Sequence, residues 1–203
     1  MSHDIAHQDG PETGLDIASS DGLRRLLARV APIAPITVAV VHPCDVGSLT
    51  AAMAARAAGL IEPVLVAPRA RLASVAAQAG VDLCGVPVED VAHSHAAAAR
   101  AAALAHAGQV EALMKGSLHT DELIAAVVPS AAGLRTKRRI SHCFLMQVPS
   151  YPRPFIVTDG AINLAPDRQQ KADIVRNAIE LARIIGVATP RVAILAAVET
   201  VNA

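Results

Sequence analysis

Ile36-Thr-Val-Ala-Val-Val41, closed by His42-Pro43, decides the fold class of this chain. An apolar run this rich in β-branched side chains reads as a strand buried on both faces, which requires layers on either side of it. Downstream, Asp45 to Ala58 is alanine-rich and helical, Gly59 stands where a helix ends, and Pro63 to Ala67 is a second short apolar strand. The unit then repeats. Arg69 to Gln78 reads as helix, Val81 to Val86 as extended, Ala92 to Ala107 as helix, Val110 to Met114 as extended and Asp121 to Val128 as helix. Such alternation predicts an α/β fold with right-handed crossovers and a mostly parallel sheet with helices on both faces.

Upstream, Leu23, Leu26, Leu27 and Val30 have helical spacing, with Ser20 or Asp21 to cap and Pro32 to stop. Residues 1–18 lack periodicity and are expected to form a flexible leader. Past Gly133 the composition shifts, because Arg135, Lys137, Arg138 and Arg139 precede an extended run from Ile140 to Val148. A boundary or hinge near 130–139 divides the chain into a first α/β domain over 19–133 and the start of a second over 134–203. Pro149, Pro152 and Pro154 force a turn before a strand at Phe155 to Thr158. Asp167 to Ile185 is the best-marked helix, capped by Asp167 with Gln170 and ended by Gly186; its expected buried stripe is Val175, Ala178, Ile179, Ala182 and Ile185. Arg191 to Val198 reads as a final apolar strand. Such a strand needs cover, so the chain is expected to be a fragment of a longer architecture or to rely on a partner chain; the alternative is an edge strand under existing helices.

Composition narrows the function classes. The 203 residues are 53% hydrophobic and 18% charged, enough for a sizeable core. Eighteen basic residues balance eighteen acidic ones, so no excess positive field collects nucleic acid or anionic lipid. Aromatics are 1% of the chain, which removes stacking platforms for single-stranded nucleic acid or sugars. Cys44, Cys84 and Cys143 form no C-x-x-C pair and suit a reducing cytoplasm. The polar start, with Asp4, Asp9 and Glu12, lacks the regions of a signal peptide, and no apolar run approaches the ~18 residues of a membrane span. Neither nucleic acid nor a membrane is an expected partner.

Three segments offer chemistry. A strand passes through Lys115-Gly116-Ser117 into a helix near Thr120, where turn N–H groups, the positive helix end and the lysine favour a phosphate or carboxylate. This is no Walker loop, since the lysine precedes a single glycine; the plainer reading is a βα turn with an exposed lysine and Thr120 as cap. Arg139, Ser141 and Cys143 enter a strand and are expected on one face, where guanidinium and hydroxyl bind phosphate together. The plainer reading there is a solvated basic turn with His142 as a satisfied partner. Asp159 stands at a strand's carboxyl end, where ligands bind in open α/β sheets, or equally makes an Asx-turn with Gly160. Of eight histidines, His93 and His95 are two apart, His3 and His7 lie in the leader and the others are isolated, so no metal site is expected. A ligand could meet His42-Pro43-Cys44-Asp45, but Asp45 reads as a plain N-cap and the cysteines as small core residues.

Leu113-Met-Lys-Gly-Ser-Leu-His-Thr-Asp-Glu-Leu123, Arg139-Ile-Ser-His142 and Ile156-Val-Thr-Asp-Gly-Ala-Ile-Asn163, in this order and spacing, resemble the phosphate acetyltransferase and phosphate butyryltransferase family. The likeness extends from about Ile36 to Asn202 and looks nearest to the butyryltransferase-like branch, including forms fused behind an enoyl-CoA hydratase domain. It implies a two-domain α/β enzyme, a substrate cleft between the domains, and transfer of an acetyl or butyryl group between coenzyme A and inorganic phosphate. Coenzyme A enters as substrate, no metal or redox cofactor is implied, and a cytoplasmic homodimer is expected. Carried over residue by residue, the resemblance places Lys115, Gly116, Ser117 and Thr120 in the cleft, Arg139 and Ser141 near the phosphate and Asp159 at its wall. Ile124 stands where acetyltransferase-branch relatives have an arginine. The resemblance also implies an incomplete second domain, family members continuing into a segment that carries the catalytic base. No catalytic residue is therefore assigned, although a thiol of pKa about 8.5 must become thiolate to attack an acyl phosphate. The alternative is a non-catalytic acyl-CoA-binding, regulatory or assembly module. The physical expectation beneath the resemblance is that backbone amides beside Gly116, facing a cleft shared with Ser141, hold a phosphoryl oxyanion.

Overall fold

In the computed structural model, which describes residues 21–148, 150–151 and 153–195, Ile36–Val41 (β1) pairs in parallel with Ile61–Ala67 (β2) on one side and Ala112–Lys115 (β4) on the other. Val88–Asp90 (β3) joins in parallel beyond β2, so the sheet order is β3-β2-β1-β4. Successive strand side chains point to opposite faces, and each face has its own cover. Val38, Val40, Leu65 and Ala67 pack with Leu49 and Ala52 of Val46–Ala57 (α2) and with Leu72, Val75 and Ala76 of Arg69–Ala79 (α3). Ala39, Val41 and Val66 pack on the other face with Ala97, Ala98, Ala101 and Leu104 of Ser94–His106 (α4) and with Leu118. The two-sided burial expected of β1 holds from Val38 onward, whereas Ile36 is 39% exposed. Each fully buried Val or Leu of this centre contributes about 1.5–3 kcal/mol.

Val81 to Val86, expected as extended, is no strand. Gly85 takes a left-handed φ of 73° and the Val86 amide donates to Leu83 O at 3.0 Å, forming a turn that delays the ladder to Val88. Beyond Thr120–Val127 (α5), a separate two-stranded sheet forms as an antiparallel pair, Cys143–Met146 (β5) with Phe155–Thr158 (β6), against which Arg168–Ile184 (α6) packs. The strand starts at Cys143, so Arg139 and Ser141 lie in a segment ahead of it and share no strand face with Cys143. The capping box of Asp167 and Gln170 on α6 forms as expected. Of the expected stripe only Ala182 is buried, while Val175, Ala178, Ile179 and Ile185 are half-buried; the other buried residue is Ile174, next to Val175, so the buried face is turned by one residue there.

Asp21–Val30 (α1) ends against the C-terminus of α6, with Arg29 Nη2 donating to Ile184 O at 3.1 Å. Of the expected last strand, residues 191–195 are not in a strand, and 196–198 lie outside the described residues, as does the expected leader 1–18. Among the described residues no helix is long and apolar enough to cross a membrane.

Candidate functional site

In the order β3-β2-β1-β4 the chain winds away from β1 in both directions, so the carboxyl ends of β1 and β4 flank the switch point, where open α/β sheets bind ligands. Here that crevice is closed by backbone. The Gly116 amide donates to Val41 O at 2.8 Å and the Ser117 amide to His42 O at 2.9 Å. Ser117 Oγ donates to His42 O at 2.8 Å, accepts from the Cys44 amide at 3.1 Å and lies 3.3 Å from His42 Nδ1. Lys115 Nζ folds back to Leu118 O at 2.9 Å and Gly116 O at 3.3 Å. The amides expected to hold a phosphoryl oxygen are therefore spent on carbonyls at the end of β1 and just past it, and the lysine staples its own turn. Thr120 is the first helical residue of α5 and His119 its N-cap, so Thr120 does not cap. Asp45 does cap α2, accepting from the Ser48 amide at 2.9 Å.

His42 is the residue that sequence reasoning undervalued. It is buried at 6% exposure and adopts φ 56°, uncommon for a residue with a Cβ. Burial first, and then the positive charge of Arg71, hold its imidazole below the ordinary value, with Glu122 opposing. As pH falls below 6.5 the unfolded chain takes up a proton that the folded chain resists, so stability drops with pH in that window. His42→Asn, which tolerates positive φ and does not titrate, is expected to flatten this slope; Tm measured across the pH range in both proteins checks it, and parallel curves would contradict it.

A cleft of about 1190 Å³ opens elsewhere, between the C-terminal half of α5 and the first turns of α6. One side is apolar, with Ile124, Val127, Val128, Leu134, Ile140 and Ile162. The lining also carries Arg135, Lys137, Arg138 and Arg139 with Asp167 and Asp173; with Arg138 paired to Glu180, three cations remain to two carboxylates, an excess that favours an anion. Arg139 and Ser141 line it. Lys115, Gly116, Ser117, Thr120 and Asp159 are not among its lining residues.

Residues 138–141 lie outside any strand, and side chains of α6 meet several of their polar groups instead. Asn177 Nδ2 donates to Arg139 O at 2.9 Å and to Ser141 Oγ at 2.8 Å. The Arg139 amide donates to Asp173 Oδ2 at 3.3 Å, and Arg138 pairs with Glu180. Asp173, Asn177 and Glu180 recur at helical spacing, which in sequence cannot be told from a solvated helix face.

Asp159 is a structural anchor. Its carboxylate accepts from the amides of His142 (3.1 Å), Ala161 (3.3 Å), Ile162 (3.2 Å) and Asn163 (3.0 Å), and from Asn163 Nδ2. Burial pushes its pKa up, but the Asn163 side chain and these amides outweigh that and leave the carboxyl below its ordinary range. The Asx-turn reading is thus realised, extended by His142 from across the hairpin. His142 itself has a buried Nδ1 without a hydrogen-bond partner, so it is not the satisfied histidine expected. Asn163 Oδ1 accepts in turn from Arg139 Nε, which ties the anchor to the cleft. Among the described residues no group of His, Cys, Asp or Glu is arranged to hold a metal ion.

The family model described as phosphate acetyl/butaryl transferase matches residues 91–203, which include both cleft walls and the Asp159 anchor. A phosphate acetyltransferase of Rhizobium meliloti is 55% identical over 88% of this chain and 57% of its own length. A phosphate butyryltransferase of Clostridium acetobutylicum is 31% identical over 81% of this chain and 55% of its own. The acetyltransferase is the more similar of these two. A branched-chain phosphotransacylase from Enterococcus faecalis V583 superposes with a TM-score of 0.65 at 25% identity, over 82% of this chain and 58% of that one. The chain spans a little over half the length of these two curated relatives. With the motif segments, the α/β architecture and the family match coinciding, the chain belongs to the phosphate acetyl/butaryl transferase family.

Proposed function

We propose that the cleft between α5 and α6 is the phosphate end of a phosphate acyltransferase site, where acyl-CoA and inorganic phosphate exchange to coenzyme A and acyl phosphate. The observation that carries this reading is the basic wall in which Asn177 bonds both the backbone carbonyl of Arg139 and the hydroxyl of Ser141, so that the two residues stand side by side. A hydroxyl fixed in this way, beside a guanidinium bonded through Nε to Asn163, suits the tetrahedral oxygens of phosphate, and a positioned anion needs no further ordering when it meets the thioester. A phosphate oxygen attacks the thioester carbonyl carbon, the carbon–sulfur bond breaks and the thiolate leaves; in reverse the thiolate attacks the acyl phosphate. The charge gathered in either direction is what Arg139 would stabilise. The apolar wall from Ile124 to Val128 suits the acyl group and its carbon–sulfur link. The more similar relative's name favours acetyl over butyryl. The turn at Lys115–Ser117, with Thr120 after it, supports the α5 wall from outside the cleft. Residues 19–133 and 134–203 act as the two units facing each other, coenzyme A is a substrate with no bound cofactor, and the working form is a cytoplasmic homodimer.

The test follows free thiol released from acetyl-CoA and butyryl-CoA on adding phosphate. It uses the chain and a chimera that adds the part of the Rhizobium meliloti relative with no counterpart here. Acetyl phosphate from the chimera, at a higher rate than butyryl phosphate, is the expected result. Coenzyme A binding without acyl phosphate from either protein overturns the transferase reading in favour of an acyl-CoA-binding module.

A further inference from the structure

Asn163 touches three groups at once. Its Oδ1 accepts from Arg139 Nε, and its Nδ2 donates both to Asp159 Oδ2 and to Ile140 O, the latter at 3.0 Å. Only one orientation of the amide satisfies all three, because a guanidinium only donates while a carboxylate and a carbonyl only accept. The far end of this chain is immobile. Asp159 is held by four backbone amides, one of them from His142 across the hairpin. The near end is an exposed arginine whose long side chain would otherwise sample many rotamers. Using Nε for Asn163 leaves the two terminal nitrogens of Arg139 available to the cleft that both residues line.

We propose that Asn163 is the positioning residue of this site, its amide fixing the Arg139 guanidinium against the anchored Asp159 so that the terminal nitrogens meet an incoming phosphate. The inference rests on the phosphate reading of the cleft. Asn163 contacts no reacting atom; it lowers the entropy lost when Arg139 closes on the anion.

Titrating inorganic phosphate into the chain by calorimetry tests it. Asn163→Ala is expected to weaken phosphate binding about tenfold, the order for one hydrogen bond to a charged group. In an Arg139→Ala background the same substitution is expected to add nothing, because Asn163 acts only through that arginine. A structural role would instead add its loss in both backgrounds. If Arg139→Ala weakens binding and Asn163→Ala does not, the positioning inference fails while the phosphate reading stands; if Arg139→Ala has no effect, the phosphate reading itself fails. Should Asn163→Ala not fold, the unmutated protein still decides: hydrogen exchange at Arg139 Nε, followed by NMR, is expected to be slower than at Arg135, which bonds through Nη1 to Ser130. Equal rates would overturn the proposal.

Discussion

Gly116→Ala is expected to destabilise the protein by about 3 kcal/mol, at the upper end for overpacking. For a chain of this length that corresponds to a fall in Tm of roughly 6–12 °C. The reason is geometric. A Cβ at this position would lie 2.6 Å from both Val41 O and His42 O, backbone atoms of the last residue of the central strand and of the residue after it. Neither carbonyl can turn away without losing the bonds from the Gly116 and Ser117 amides. Gly59 provides the contrast: it has φ 68° and nothing within 4 Å of a Cβ, so alanine there costs only left-handed strain, about 1–2 kcal/mol. Thermal unfolding of both variants measures the difference. A Gly116→Ala protein as stable as Gly59→Ala would mean that β1 and the turn after β4 are not locked together.

Arg139→Ala is expected to leave stability nearly untouched, with Tm within about 2 °C, because the side chain is exposed. Its effect falls on phosphate, where losing a charge-assisted bond of about 2–3 kcal/mol raises the phosphate Kd roughly a hundredfold. Arg139→Lys should recover only part of this. It restores charge without the planar fork, and it gives up the Nε–H that Asn163 receives. Calorimetry with inorganic phosphate on the three proteins, at one ionic strength, makes the comparison. Unchanged affinity in Arg139→Ala would move the anion away from this part of the wall.

Local signals served well where one element carries its own evidence. β1 has the expected limits, Asp45 caps α2, and Asp167 pairs with Gln170 at the start of α6. They failed where a contact between distant segments decides the outcome. Gly116 looked like an opening for an anion, yet its amide is taken by Val41, 75 positions earlier in the chain. Ile140 to Val148 looked extended throughout, but α6 claims the polar groups of Arg139 and Ser141 and the ladder starts only at Cys143. Asp159 read equally as ligand or turn former, and five hydrogen bonds make it the anchor of its loop.

By itself the sequence determined the alternation of strand and helix, the parallel sheet around β1, the caps, and the motif segments that mark the family, because periodicity and capping are properties of neighbouring residues. Only the tertiary structure decided which polar groups remain for a ligand. A donor near a strand end is free or spent according to which carbonyl reaches it, and that depends on segments brought together by burial of the core. Hence the backbone at Gly116 is closed, while Arg139, held through Asn163 and flanked by Ser141, faces an open cleft.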